Sequence, residues 1–314
     1  MRRFVSLAMI ICLCLTVMTV TGCSGTQSSA ANDGELKVVC AGFAAYDFCR
    51  QVIGGDENIT LLGKTGMDMH SFEPSAADIL TLSEADVFVY VGGEANKWAD
   101  GMISAAKNKE LRLVDMTRCV QGIHAEGHHG HDHGEDEHVW LSFDNAAKIV
   151  LDICSAVKEA AKENGIDEKV IDTYDKNAQQ YVEKLSSLKE KFVDMVSAAQ
   201  RKTIIVADRF PFIYLVEELG LEYYAAFPGC STETNASFAV QTELIEKTKE
   251  CGAPVVFMID GSNGAVAKKV CEQTGAKLAV LDSAQIVSES RIAAGESYIN
   301  IMENNYKALL EALN

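Results

Sequence analysis

Residues 167–200, DEKVIDTYDKNAQQYVEKLSSLKEKFVDMVSAAQ, contain neither glycine nor proline. Tyr174, Ala178, Tyr181, Val182, Leu185, Leu188, Phe192, Val193 and Val196 recur at helical spacing, so the stretch predicts one unbroken helix. On both sides of it short apolar runs alternate with helical patterns. Upstream, strands are expected at 36–40, 58–62, 87–91 and 111–114, and helices at 46–53, 76–83, 95–106 and 143–163. Downstream, strands are expected at 203–206, 222–226, 255–259 and 278–281, and helices at 212–219, 240–251, 266–274 and 292–313. This alternation favours parallel sheets covered by helices. The expected architecture is α/β: two lobes with parallel sheets, 36–166 and 202–314, joined by one long rigid helix over 167–201. Open α/β sheets bind ligands outside the carboxyl ends of their strands, which places a site in the interlobe cleft.

The amino terminus is of another kind. Arg2 and Arg3 precede an uncharged apolar run from Phe4 to Val20, closed by Val20-Thr21-Gly22-Cys23. Positive end, apolar centre and small-residue close make a signal peptide over 1–22 rather than a spanning helix. Residues 23–35, rich in Ser, Thr and Gly, read as a flexible tether. The Val20–Cys23 stretch resembles the lipobox of bacterial lipoproteins, which implies that Cys23 carries lipid and anchors an extracytoplasmic protein to the outer face of the cell membrane.

Without residues 1–22 the chain holds 26 basic against 45 acidic side chains, a formal charge of −19. Nucleic acid is therefore not an expected partner, and a monomer is expected. Of the ten cysteines, Cys12 and Cys14 fall in the signal and Cys23 is the anchor. The remaining seven, Cys40, Cys49, Cys119, Cys154, Cys230, Cys251 and Cys271, form no CxxC and read mostly as small buried hydrophobes.

Six of the seven histidines lie within fifteen residues: His124, His128, His129, His131, His133 and His138. In the run GHHGHDHGEDEH, glycines disfavour regular structure and imidazoles alternate with carboxylates, a composition suited to weak, fast-exchanging Zn²⁺ binding. The seventh, His70, stands apart in GMDMHSFEPSAADI, residues 66–79, on a turn between a strand and a helix.

That segment, together with His138-Val139-Trp140-Leu141-Ser142 and with Leu281-Asp282-Ser283 followed by Gly295-Glu296-Ser297-Tyr298, resembles the zinc and manganese substrate-binding proteins of bacterial ABC importers. The resemblance covers the whole chain after the tether. It implies that His70 and His138 are metal ligands, that Asp282 is the carboxylate from the second lobe, and that the partners are ABC permease and ATPase subunits. Two imidazoles and a carboxylate suit a tetrahedral ion at roughly 2.0–2.2 Å. Glu137, Asp136 and Asp68 are candidates for orienting the rings.

One position breaks the pattern. The family slot for a further His or Glu falls on Ala207, in Ala207-Asp208-Arg209-Phe210-Pro211-Phe212, and alanine coordinates nothing. Asp208 is the expected replacement, with Cys230 and Glu233 as alternatives; Asp208 would otherwise cap a helix or pair with Arg209. Zn²⁺ is the expected cargo, and Mn²⁺, which favours oxygen donors, is the alternative. No HExxH, GxSxG or P-loop is present, so an enzyme is not expected. A haem or siderophore protein of similar architecture would line its cleft with Arg, Tyr and Trp rather than His, yet the only tryptophans are Trp98 and Trp140.

Overall fold

The computed structural model describes residues 35–63, 72–93, 97–126, 132–229, 231 and 236–314. The first sheet is built from β1 (Val38–Cys40), β2 (Ile59–Leu61), β3 (Val87–Tyr90) and β4 (Arg112–Asp115), all parallel, in the order β2-β1-β3-β4. Helices α1 (Phe43–Ile53), α2 (Ala76–Ser83) and α3 (Lys97–Ala105) make its crossovers. β1 and β3 are buried at every position, as expected of parallel strands covered on both faces.

Between β4 and the next long helix, β5 (His124–Glu126) and β6 (Asp132–Glu135) pair as an antiparallel ladder. The sequence pattern predicted no regular structure there. A two-stranded ladder needs only backbone hydrogen bonds, and these pair His124 with Glu135 and Glu126 with Asp132. A 3-10 turn, Val139–Leu141, then leads into α4 (Phe143–Glu163) and α5 (Glu168–Ala198), the long helix predicted by the glycine-free run.

The second sheet contains β7 (Thr203–Phe210), β8 (Glu222–Pro228), β9 (Val255–Ile259) and β10 (Lys277–Leu281), again parallel, in the order β10-β9-β7-β8. Its helices are α6 (Ile213–Leu219), α7 (Phe238–Glu250), α8 (Ala265–Thr274), α9 (Glu289–Ala293) and α10 (Tyr298–Leu313). The single helix expected at 292–313 is thus two. Gly295, at φ 84°, breaks it, and the Ser297 side chain caps the new start by accepting from the Asn300 N–H.

One hydrophobic core runs through both sheets. It joins Val38 and Val87, α1, α4 and α5 to Val206, Phe257, α6 and α10. Two smaller clusters fill the outer faces, one around Phe88 and Met102, the other around Val256 and Val270. Polar ties reinforce the joint. Glu218 on α6 accepts from the Phe143 and Asp144 backbone N–H groups at 2.7 and 3.1 Å, which satisfies donors that the first turn of α4 leaves unpaired. Asp47 on α1, with no exposed surface, pairs with Arg50 at 2.7 Å and accepts from Tyr181 Oη on α5 at 3.2 Å and from the Tyr298 N–H on α10 at 2.9 Å.

Removing one partner of such a buried pair strands the other charge. Asp47→Ala is therefore expected to lower the unfolding free energy of the metal-free protein by about 3–5 kcal/mol. Equilibrium urea denaturation measures this; a loss below about 1 kcal/mol would show that Arg50 and Tyr298 find other partners.

Candidate metal centre

In both sheets the strand order reverses beside the strand that opens it, between β1 and β3 and between β7 and β9. Each reversal leaves a crevice at the carboxyl ends, where a ligand can approach without meeting a crossover. Residues 136–138 pass these ends. A Cβ on Gly93, just beyond β3, would lie 2.6 Å from Glu137 Oε1, so the missing side chain makes room for that carboxylate. Gly93 also has φ 69°, a conformation glycine adopts without strain. On the other side, a Cβ on Gly229, just beyond β8, would lie 3.0 Å from Asp136 Oδ2. Tyr214 Oη on α6 donates to the Asp136 carbonyl at 2.8 Å and accepts from the Ile123 N–H at 3.1 Å. The acidic segment ahead of His138 thus lies against the turns after β3 and β8 and is bonded by α6.

His138 is buried, with 1% of its surface exposed. Asp136 Oδ1 lies 2.9 Å from both its backbone nitrogen and its ring Nδ1. An ionised carboxylate only accepts, so this contact places the ring proton on Nδ1 and the ring lone pair on Nε2. A carboxylate behind an imidazole in this way fixes the ring and raises its basicity as a metal donor. Trp140, beside the ring, donates from Nε1 to the Ser283 carbonyl at 2.9 Å, and Tyr298 Oη donates to the Trp140 carbonyl at 2.6 Å. The turn carrying His138 is therefore bound to the loop after β10.

Asp208 lies at the irregularity between Val206 and Arg209, where the β7–β8 register shifts. Such a bulge re-aims a side chain. Its Oδ2 accepts from Ser262 Oγ, across the β7–β9 reversal, and its Oδ1 accepts from the Arg209 N–H at 2.9 Å. It caps no helix: the residue before α6 is Phe212. Asp282 follows β10. Its backbone is gripped by Asn305, which accepts from the Asp282 N–H at 2.9 Å and donates to its carbonyl at 2.8 Å. Its Oδ1 accepts from the Ala284 N–H at 2.9 Å, and its Oδ2 meets Arg291 Nη2 at 2.8 Å. Ala284 carries φ 57°, a conformation rare for a residue with a Cβ.

Asp260, at the end of β9, was not singled out by sequence pattern. It accepts from the Ser283 N–H at 2.6 Å and the Ile286 N–H at 3.2 Å, and so shapes the turn after Asp282. Burial, and next the charge of Asp282, push its pKa up to about 6. Its position at a strand end before Gly261 was the available signal.

His138, Asp208 and Asp282 thus all stand at strand ends or in the turns that follow. Among the described residues no three His, Cys, Asp or Glu side chains converge as a metal cage. His70, Asp68, Cys230, Glu233, His128, His129, His131 and Cys23 lie outside the described residues, as do residues 94–96, which include the start of the helix expected at 95–106. His124 and His133 lie on β5 and β6. All six described cysteines after the tether are unbridged, with Cys40, Cys49 and Cys154 buried as expected and Cys119, Cys251 and Cys271 partly so.

The model of a family described as zinc-uptake complex component A, periplasmic (ZnuA), matches residues 38–312. The chain belongs to that family. Zinc-binding lipoprotein AdcA of Streptococcus pneumoniae is 30% identical over 304 residues, covering 94% of this chain and 58% of that protein. The chain therefore spans little more than half the length of that relative. High-affinity zinc uptake system protein ZnuA of Bacillus subtilis is 27% identical over 314 residues, covering 97% of this chain and 96% of that one. The solved Zn(II)-bound ZnuA-like domain of S. pneumoniae AdcA is similar at a TM-score of 0.73 and 28% identity, over 89% of this chain and 99% of that domain.

If Asp136 sets the ring tautomer, Asp136→Ala should abolish the preference of His138 for the Nδ1–H form. Nitrogen-15 NMR of the metal-free protein at pH 8 reads this directly. An unchanged tautomer ratio would assign ring orientation to some other contact.

Proposed function

We propose that this protein captures Zn²⁺ outside the cytoplasm and hands it to the permease of an ABC importer, without chemical transformation of its cargo. The observation that carries the reading is the His138–Asp136 pair, a buried imidazole backed by a carboxylate at the carboxyl ends of two parallel sheets. A buried imidazole held in one tautomer by a carboxylate is a common form of histidine zinc ligand. The names of the AdcA and ZnuA relatives support zinc as the cargo.

In this reading His70 and His138 supply two nitrogens, and Asp282 supplies an oxygen. Asp208 is the fourth ligand, in the place where the family pattern falls on Ala207. His124, His128, His129, His131 and His133 gather the ion and pass it inward. Residues 1–22 are a signal peptide and 23–35 a tether, with lipid on Cys23. Among the described residues no helix is long and apolar enough to cross a membrane. Permease and ATPase subunits are the partners; the protein itself acts as a monomer and is not an enzyme.

Calorimetric titration of the metal-free chain, without residues 1–22, should find one tight zinc site and several weaker ones. His70→Ala and His138→Ala should each remove the tight site, and Asp208→Ala should loosen it. Asp136→Ala, which leaves the ligands in place, should weaken it about 10–100-fold. Deleting residues 124–133 should remove only the weak sites. Tight binding that survives His138→Ala would overturn the reading, and equal affinity for Mn²⁺ would reassign the cargo.

A further inference from the structure

The loop between β10 and α10 holds a cation of its own. Arg291, in the short helix α9, reaches Asp282 Oδ2 at 2.8 Å and Glu296 Oε2 at 3.0 Å through the same nitrogen, Nη2. Its Nε also donates to Glu296 Oε2, at 3.2 Å. Neither carboxylate is far from the interior, with side-chain exposures of 14% for Asp282 and 17% for Glu296. The guanidinium is shared between two acids, and one of them is the proposed zinc ligand.

Arg291 also has a fixed seat. Ser288 caps α9 by accepting from the Arg291 N–H, and the Glu296 N–H donates back to the Arg291 carbonyl at 3.0 Å, closing the loop on itself. Arg50, the partner of Asp47, donates to the Glu296 carbonyl. The Asp47–Arg50 pair is thus joined through the Glu296 backbone to the loop in which Glu296, Arg291 and Asp282 share charge.

A divalent cation and a guanidinium cannot share one carboxylate oxygen without repulsion. We propose that Arg291 is the internal counter-ion of the cleft. It neutralises Asp282 while no metal is bound, and moves wholly onto Glu296 when a divalent cation takes Asp282. Glu296 is the waiting acceptor, already within hydrogen-bond reach, so the displaced charge is not left buried and unpaired. Arg291 is a positioning residue in this scheme: it does not touch the ion, and it sets how tightly Asp282 can hold it.

The proposal rests on Asp282 being a ligand, and the variants separate the two claims. Calorimetric zinc titration of the full chain after Cys23, with competition by a chelator, is run beside thermal melts of the metal-free proteins. Arg291→Gln should bind zinc about tenfold tighter, the size of one screened charge interaction, while melting lower without metal. Glu296→Gln removes the acceptor for the displaced guanidinium and should bind zinc more weakly. Structural damage alone would weaken binding in both. If Arg291→Gln fails to fold, Glu296→Gln and Arg291→Lys decide the matter: Arg291→Lys should hold zinc at or above the wild-type affinity. Asp282→Asn with unchanged zinc affinity would remove the ligand and the scheme together. Asp282→Asn that weakens binding, beside an Arg291→Gln that does not strengthen it, would overturn the counter-ion proposal alone.

Discussion

A buried carboxylate, Asp47, joins three helices that belong to different parts of the chain. Arg50 sits on its own helix, Tyr181 on the long helix α5, and Tyr298 at the start of the last helix. A charge with no exposed surface is tolerated only when its oxygens are occupied, so the three helices are held in one arrangement. That arrangement lays the two sheets over one continuous core, with the site residues in the turns at their carboxyl ends. Opening the sheets widely would expose that core and break the Asp47 and Glu218 ties. The polar contacts outside that core concentrate in the turns around 136–142 and 282–297.

Those turns are coupled. Trp140 binds the backbone of Ser283, Asp260 binds the same residue from below, and Tyr298 binds the carbonyl of Trp140. The turn carrying Asp282 is thus hydrogen-bonded to the turn carrying His138. A metal ion joining the two would tighten contacts that already exist, a population shift rather than a rebuilding of the fold.

Much of the fold was legible because its signals are local. The glycine-free run 167–200 became α5, and the alternating runs became two parallel sheets. What escaped was set by tertiary contact or by backbone pairing. The break at Gly295 interrupts an otherwise helical apolar pattern, and the β5–β6 ladder forms across a polar stretch where no apolar periodicity announces it. At the site, His138 was named through the family resemblance, with Asp136 one of three acids proposed to orient a ring; the structure shows that Asp136, two residues before it, makes the contact. Asp260 did not stand out, since the groups it binds lie 23 and 26 residues on; nor did Asp47, which ties Arg50 on its own helix to Tyr181 and Tyr298 far along the chain, and Arg291 sits in a short turn of helix that no pattern marks. Asp208 could be named but not placed: only the bulge in β7 and the Ser262 contact show how its side chain is held.

The proposed zinc site lies at the strand ends, on the ring that Asp136 orients. Crystals of the zinc-loaded protein, with anomalous data collected on both sides of the zinc absorption edge, test it most directly. An anomalous peak is expected roughly 2.0–2.2 Å from His138 Nε2 and from an oxygen of Asp282. A peak only along the histidine-rich stretch 124–133, with His138 still bound to Asp136 and no metal beside it, would contradict it.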